Sequence, residues 1–326
     1  MNVLITGITG MVGSHLADFI SKNHPSVNIF GMIRWRSPKV NIRDCEKSIH
    51  FLNGDLNDLH SLVKVIKKSR PDKIFHLAAQ SYVQDSYSLP QETLRTNILG
   101  TTNLLDAVRL CDYDPLIHIC SSSEVYGQVN EKEIPIKESN EMRPASPYAV
   151  SKLGEDMIAY QYFLSYGLKT IRTRMFTHTG PRRGEVFAEC AFAKQIAEIE
   201  KKTQSTNIIK VGNLDSIRTF SDVRDAVRAY WVLLEKCIPG DVYNIGGTEI
   251  LTVGEMLEIL KSFSKEKLVH EISEELLRPS DVTLQIPDSS KFVNLTGWKP
   301  KFSVKDTLKD LLNFEREKIG CKSYGV

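Results

Sequence analysis

The 326-residue sequence predicts an α/β fold, a doubly wound parallel sheet followed by a smaller C-terminal α/β unit. Short β-rich apolar runs alternate with longer amphipathic stretches, three glycines follow the first run, and the alternation fades after about residue 175. The runs lie at 3–6, 27–33, 50–52, 73–77, 116–120 and 170–174, with helical patterns at 11–22, 59–68, 93–110 and 148–166 between them. Such alternation puts parallel strands in the middle and helices on both faces. Beyond 175, loops rich in Gly, Arg and Pro separate helical patterns at 189–201, 223–237 and 253–263. The expected division is a dinucleotide-binding domain over 1–175, rejoined by a segment at about 208–245, and a substrate domain made mainly of 176–326.

Composition narrows the function classes. With 42 Lys and Arg against 40 Asp and Glu, the formal charge of +2 is too small to point to nucleic acid or a membrane surface, so small-molecule partners are expected. The six cysteines have no paired spacing that would make a zinc site or a disulfide framework, which fits a reducing compartment. Met1 leads straight into a strand-like run and no apolar stretch approaches membrane-spanning length, so a cytoplasmic location is expected.

Gly7, Gly10 and Gly13 sit between the first strand and the first helix, as in a Rossmann-like dinucleotide site. Glycine keeps that turn tight and lets the backbone approach a pyrophosphate, whose charge meets unpaired N–H groups at the helix start. Thr9, Met11 and Val12 share the turn and count as cofactor contacts. At the end of the second strand, where an acid would read a ribose 2′-hydroxyl, stand Arg34 and Arg36. Cations there favour NADP, with NAD as the alternative, unless the two arginines are solvated or line a subunit contact. Asp55, beside Leu56, is placed to accept from the adenine amino group or to cap its own loop. Leu77, Ala78, Ala79 and Ser81 end the fourth strand with small residues against which a dinucleotide can lie, and Asn97 is either a ligand contact or a structural hydrogen-bonding residue.

Tyr148 and Lys152 are four residues apart on one helical pattern, so the ammonium is expected to lower the phenol's pKa and make it a proton shuttle. Upstream, Ser121-Ser122-Ser123-Glu124-Val125-Tyr126-Gly127 closes the fifth strand, at the sheet edge where ligands bind. Ser122 can hold a reacting oxygen, Ser123 can contact substrate, and Glu124 can take a carbon-bound proton or simply be a solvated loop acid.

The glycine turn, that serine run, Ser146-Pro147-Tyr148-Ala149-Val150-Ser151-Lys152 and Gly297-Trp298-Lys299-Pro300 resemble the extended short-chain dehydrogenase family of nucleotide-sugar enzymes over almost the whole chain. Ala78-Ala79-Gln80-Ser81, Gly180-Pro181-Arg182-Arg183-Gly184 and Leu277-Arg278-Pro279-Ser280-Asp281-Val282 are similar to its GDP-mannose 4,6-dehydratase and GDP-4-keto-6-deoxymannose reductase branches. The resemblance implies a GDP-mannose or GDP-heptose substrate, a homodimer or homotetramer, and Ser122, Glu124, Tyr148 and Lys152 as the reacting set. A dehydratase would oxidise sugar C4, eliminate water across C5 and C6, and return the hydride to C6 with no net use of cofactor. A 4-keto reductase is the main alternative, then an epimerase or a non-catalytic dinucleotide sensor. For the substrate domain the resemblance points to Thr177, Arg183, Val211, Asn213, Arg218 and Arg278, with Arg182 and Arg183 alternatively meeting a neighbouring subunit's cofactor. Two departures stand out: Thr177 occupies a position where the family usually has Asn, and Ser122 one where dehydratases usually have Thr.

Overall fold

Each of the six β-rich runs forms a strand: β1 (Asn2–Thr6), β2 (Asn28–Ile33), β3 (Ile49–Asn53), β4 (Lys73–His76), β5 (Leu116–Ser122) and β6 (Thr170–Met175). Four short strands follow, β7 (His178–Thr179), β8 (Ile208–Val211), β9 (Ile217–Thr219) and β10 (Ser221–Asp222), before β11 (Val242–Ile245) completes the main sheet. The computed structural model describes residues 1–204, 206–277 and 280–322. In it, seven parallel strands run in the order β11-β6-β5-β4-β1-β2-β3. The order reverses between β1 and β4, which opens a crevice at their carboxyl ends.

The strands alternate faces, so consecutive residues of β1 enter different cores. Val3 and Ile5 pack with Leu16 and Ile20 of α1 (Met11–Asn23). Leu4 faces the other way, toward α2 (Leu59–Ser69). The helical pattern at 93–110 does not run unbroken. After α3 (Val83–Ser88), α4 (Pro90–Leu94) passes through a π-helical turn at Arg95–Leu99 into α5 (Gly100–Leu110). Asn97 lies in that turn, its amide donating to the Gln80 carbonyl (2.9 Å) and to Ser151 (2.8 Å), which turns it into the loop between β4 and α3.

A separate core forms from α7 (Ala188–Glu200), β8, α9 (Val253–Lys261) and α11 (Val304–Lys322). Its small sheets pair β8 with β13 (Val269–Ile272), and β9 with both β12 (Ile250–Thr252) and β14 (Leu284–Gln285). The return to the main sheet is therefore shorter than the 208–245 segment expected. Ile209, Val211 and Phe220 belong to the second core, and the chain rejoins the first at α8 (Val223–Lys236), whose Tyr230 and Trp231 pack under β1 and β4.

The long helix α6 (Pro147–Tyr166) is fixed by charge as well as packing. Asp156, fully buried, bonds Arg172 and Arg174 of β6 at 2.8 Å each. Arg172 also donates to the Gly240 carbonyl (2.9 Å), and Arg174 to the Tyr126 hydroxyl (3.0 Å) and the Glu138 carbonyl (2.9 Å). Removing one partner from such a cluster leaves buried charge without compensation. Asp156→Ala is expected to destabilise the fold by about 3–5 kcal/mol in denaturant unfolding; a loss below about 1 kcal/mol, typical of an exposed pair, would contradict this reading.

Candidate active site

The crevice deepens into a cleft of about 1120 Å³ that runs from the glycine turn to the second domain. At its first end, Thr6 accepts from the backbone N–H groups of Leu77 and Ala78 (3.1 Å each) and bonds His76 (2.8 Å). Thr101 donates to the Asn97 carbonyl, so the His76 Nε2–H donates to Thr101 and Nδ1 accepts from Thr6. Burial lowers the His76 pKa to about 3, which keeps the ring neutral. The backbone after β4 is thereby held against the glycine turn. A Cβ on Gly7 (φ +70°) would lie 2.8 Å from the Ala78 nitrogen, and one on Gly13 would lie 2.3 Å from the Gly7 carbonyl oxygen. No acid stands in the first turn of α1 and no side chain caps it, leaving its amides open to an anion.

Gly7, Thr9, Gly10, Met11, Val12 and Gly13 all line this end of the cleft. Leu77, Ala78, Ala79 and Ser81 line it from the β4 side, and Asp55 and Leu56 from the β3 side. Asp55 also caps its own turn, accepting from the Asn57 N–H at 2.9 Å. Arg34 lines the cleft beside Ser37, whose hydroxyl accepts from the Arg34 N–H (3.1 Å), and Asn41, which donates to the Thr9 carbonyl (2.9 Å). Two expectations need correction. Arg36 lies outside the lining and stacks on the exposed Trp35 ring, 4.5 Å from its centroid. Asn97 is 1% exposed and spends its amide on Gln80 and Ser151, so it braces the loop rather than facing a ligand.

The middle of the cleft brings together Ser122, Glu124, Tyr148 and Lys152. Ser146 caps α6 by accepting from the Ala149 N–H (3.0 Å), and Pro147 starts the first turn, so Tyr148 enters the cleft at the helix mouth. Lys152 follows one turn later, with its carbonyl held by the Ser121 hydroxyl (3.1 Å). The Ser122 side chain lies beside the Tyr148 phenol, and its hydroxyl accepts from the Glu124 N–H (3.2 Å). Burial raises the phenol above its ordinary range, against the pull of the Lys152 charge and the neighbouring Ser122 hydroxyl. The expected lowering by Lys152 is thus present but outweighed. Lys152 itself donates to Glu155 at 2.5 Å, with both side chains buried. Burial works against its ammonium, but the Glu155 carboxylate holds its pKa above the ordinary lysine range.

At the far end, Glu124 stands 3.7 Å from Arg218, both nearly buried, and Arg218 donates to the Val282 carbonyl at 2.9 Å. Thr177 and Arg183 also line this end, and Arg183 lies 3.6 Å from the Phe187 ring centroid. Asn213 donates to Asp281 (2.7 Å), as does Ser216 (3.1 Å). Ser123 reaches the lining, but its hydroxyl is spent on Gln285, which donates back to the Ser123 carbonyl (3.2 Å). Val211 is a correction: it is fully buried in the second core and outside the lining. Arg182 pairs with Asp18 of its own α1 (2.6 Å). Arg278 lies outside the described residues.

Sequence reasoning missed four groups, three on the cleft wall and one buried behind it. Glu155 is three residues past Lys152, a helical spacing that was available as a signal. Asp281 lay inside a motif used only for resemblance, and Ser37 follows Arg34 directly in the lining loop. His178 lines the cleft next to Thr177, and its Nδ1–H donates to the Phe176 carbonyl (3.1 Å). Burial, helped by the Arg183 charge, lowers its pKa to about 4 and leaves it neutral.

Comparison with known proteins agrees with this layout. A family model described as GDP-mannose 4,6 dehydratase matches residues 4–311. The GDP-6-deoxy-D-mannose reductase of Pseudomonas aeruginosa is 31% identical over 312 residues, 95% of this chain and 96% of its own. The GDP-mannose 4,6-dehydratase of Yersinia enterocolitica is 31% identical over 350 residues, 95% of this chain and 92% of its own. The solved structure of RMD from Pseudomonas aeruginosa, complexed with NADPH, superposes with a TM-score of 0.84 at 29% identity, covering 98% of this chain and all of that one. A match over nearly its whole length means that this chain belongs to the GDP-mannose 4,6-dehydratase family.

Proposed function

We propose that the protein is a GDP-sugar 4,6-dehydratase acting on GDP-mannose or a GDP-manno-heptose to give the 4-keto-6-deoxy sugar and one water. The observation that carries this reading is the Glu124 carboxylate on the same cleft wall as Ser122, Tyr148 and Lys152. A simple carbonyl reduction needs a proton donor and no base at carbon, so Glu124 would be idle in it. Dehydration needs a base at C5 once C4 is a ketone.

NADP is the proposed cofactor, with NAD as the alternative. The glycine cradle fits a dinucleotide backbone, Arg34 and Ser37 suit a 2′-phosphate, and NADPH is bound in the similar reductase structure. When bound, it would supply hydride acceptance and return. The chain's own residues do the rest. Tyr148 moves the proton of the C4 oxygen, Ser122 orients that oxygen, Lys152 keeps positive charge beside the phenol, and Glu124 takes the C5 proton. Arg218 stands beside Glu124 and, with Arg183, offers guanidinium forks to the diphosphate. Thr177 offers one side-chain donor where the family usually has an Asn amide, so its contacts with the sugar differ, which is why a heptose is kept beside the hexose.

The relative named as a reductase, as similar in sequence as the dehydratases, favours a GDP-4-keto-6-deoxy-sugar reductase as the second reading. A homodimer or homotetramer goes with either, supported by Leu99, Leu110, Val150 and Leu164 standing exposed on or beside α5 and α6. A cytoplasmic location is part of the same proposal.

Purified protein given GDP-mannose or a GDP-heptose with a trace of NADP is expected to remove one water from the sugar by mass spectrometry. No change until a 4-keto sugar and NADPH are supplied would overturn the dehydratase and support the reductase. Glu124→Gln is expected to slow the water loss by about 10²–10⁴-fold while leaving NADP binding intact.

A further inference from the structure

We propose that Glu155 is a positioning residue for the proton shuttle: its buried carboxylate tethers the Lys152 ammonium and offsets the field of that ammonium at the Tyr148 phenol. This rests on the reading of Tyr148 as the group that moves the proton. The contact is 2.5 Å long, the two side chains are 4% and 1% exposed, and they sit three residues apart on α6. A lysine so placed has few other positions open to it, and a carboxylate at that distance cancels much of what its charge does farther away.

The groups around them leave this pair in control. From β4 and β5, His76 and His118 face Lys152, and burial lowers both to about 3, so both are neutral. Cys120 of β5 and Tyr230 of α8 face the phenol, and burial raises both, so they too are uncharged near neutral pH. Asp156 faces Glu155 from the same helix, but its charge is taken up by Arg172 and Arg174. Lys152 and Glu155 are then the charged groups whose balance sets the potential at Tyr148. Burial raises the Glu155 carboxyl to about 7, so it is ionised in the alkaline range where the phenol titrates.

The sign follows. Removing the negative charge leaves the Lys152 ammonium unopposed, which favours the phenolate and lowers the pH at which Tyr148 loses its proton. The test is a titration of protein carrying 13Cζ-labelled tyrosine, with the Tyr148 resonance identified by its absence in Tyr148→Phe. In Glu155→Gln the Tyr148 midpoint is expected to fall by about one pH unit, and the acid limb of the dehydration pH–rate profile to move the same way. Glu155→Asp keeps the charge but withdraws it by one methylene, and should shift the midpoint less. A midpoint in Glu155→Gln that stays or rises, in protein with unchanged thermal unfolding, would overturn the proposal. If the Gln variant does not fold, an unmoved midpoint in Glu155→Asp overturns it. The titration needs no substrate, so a failed dehydration assay with a shifted midpoint would sink the dehydratase reading and leave the role of Glu155 standing.

Discussion

The geometry of the site depends on how α6 is fixed to the sheet, and one buried acid does most of that fixing. Asp156 holds two arginines of β6, and those arginines reach the Gly240 and Glu138 carbonyls and the Tyr126 hydroxyl. Burying three charges is costly unless each is paired; here both guanidinium groups share the Asp156 carboxylate and donate to further oxygens, with only the Arg172 Nε left without a partner in the cluster. The consequence is positional. Lys152 lies one turn before Asp156 and Tyr148 one turn before that, so the helix cannot rotate or slide without breaking the cluster. The Ser121 hydroxyl on the Lys152 carbonyl adds a second point of attachment, from β5.

The chemistry at the helix mouth is then a contest between burial and charge. Burial pushes the phenol toward its neutral form, while Lys152 and Ser122 favour the phenolate. Burial prevails, and the phenol stays above its ordinary range. Glu155 on the far side of Lys152 adds to the balance. At the other end of the cleft Arg218 stands 3.7 Å from Glu124. Arg218 stands on β9, two residues before Phe220 of the second core, so both cores contribute to the cleft wall.

Much of this was legible in the sequence because it rests on local patterns. Short strands of four to seven residues alternating with helices marked the sheet, and the three glycines with Ser122, Glu124, Tyr148 and Lys152 marked points on one cleft. What escaped reading depends on three-dimensional partners. Asn97 and Val211 were plausible ligand contacts by motif, but a loop carbonyl claims one and the second core the other. Arg36 is adjacent to a cofactor loop in sequence yet turns out onto Trp35. The return of the chain to the main sheet begins at Val223 because 208–222 carries strands that pair inside the second domain, which periodicity alone does not reveal. Glu155 could have been found from its spacing to Lys152, although spacing does not say that both would be buried.

The central claim is that one cleft both oxidises C4 and eliminates water across C5 and C6, recovering the hydride it removed. The most direct measurement is conversion of GDP-mannose carrying deuterium at C4, with a trace of unlabelled NADP, followed by NMR of the product. The account predicts a 4-keto-6-deoxy sugar with the deuterium at C6. Turnover that appears only when a 4-keto sugar and stoichiometric NADPH are supplied, with the C4-labelled GDP-mannose returned unchanged, would contradict it.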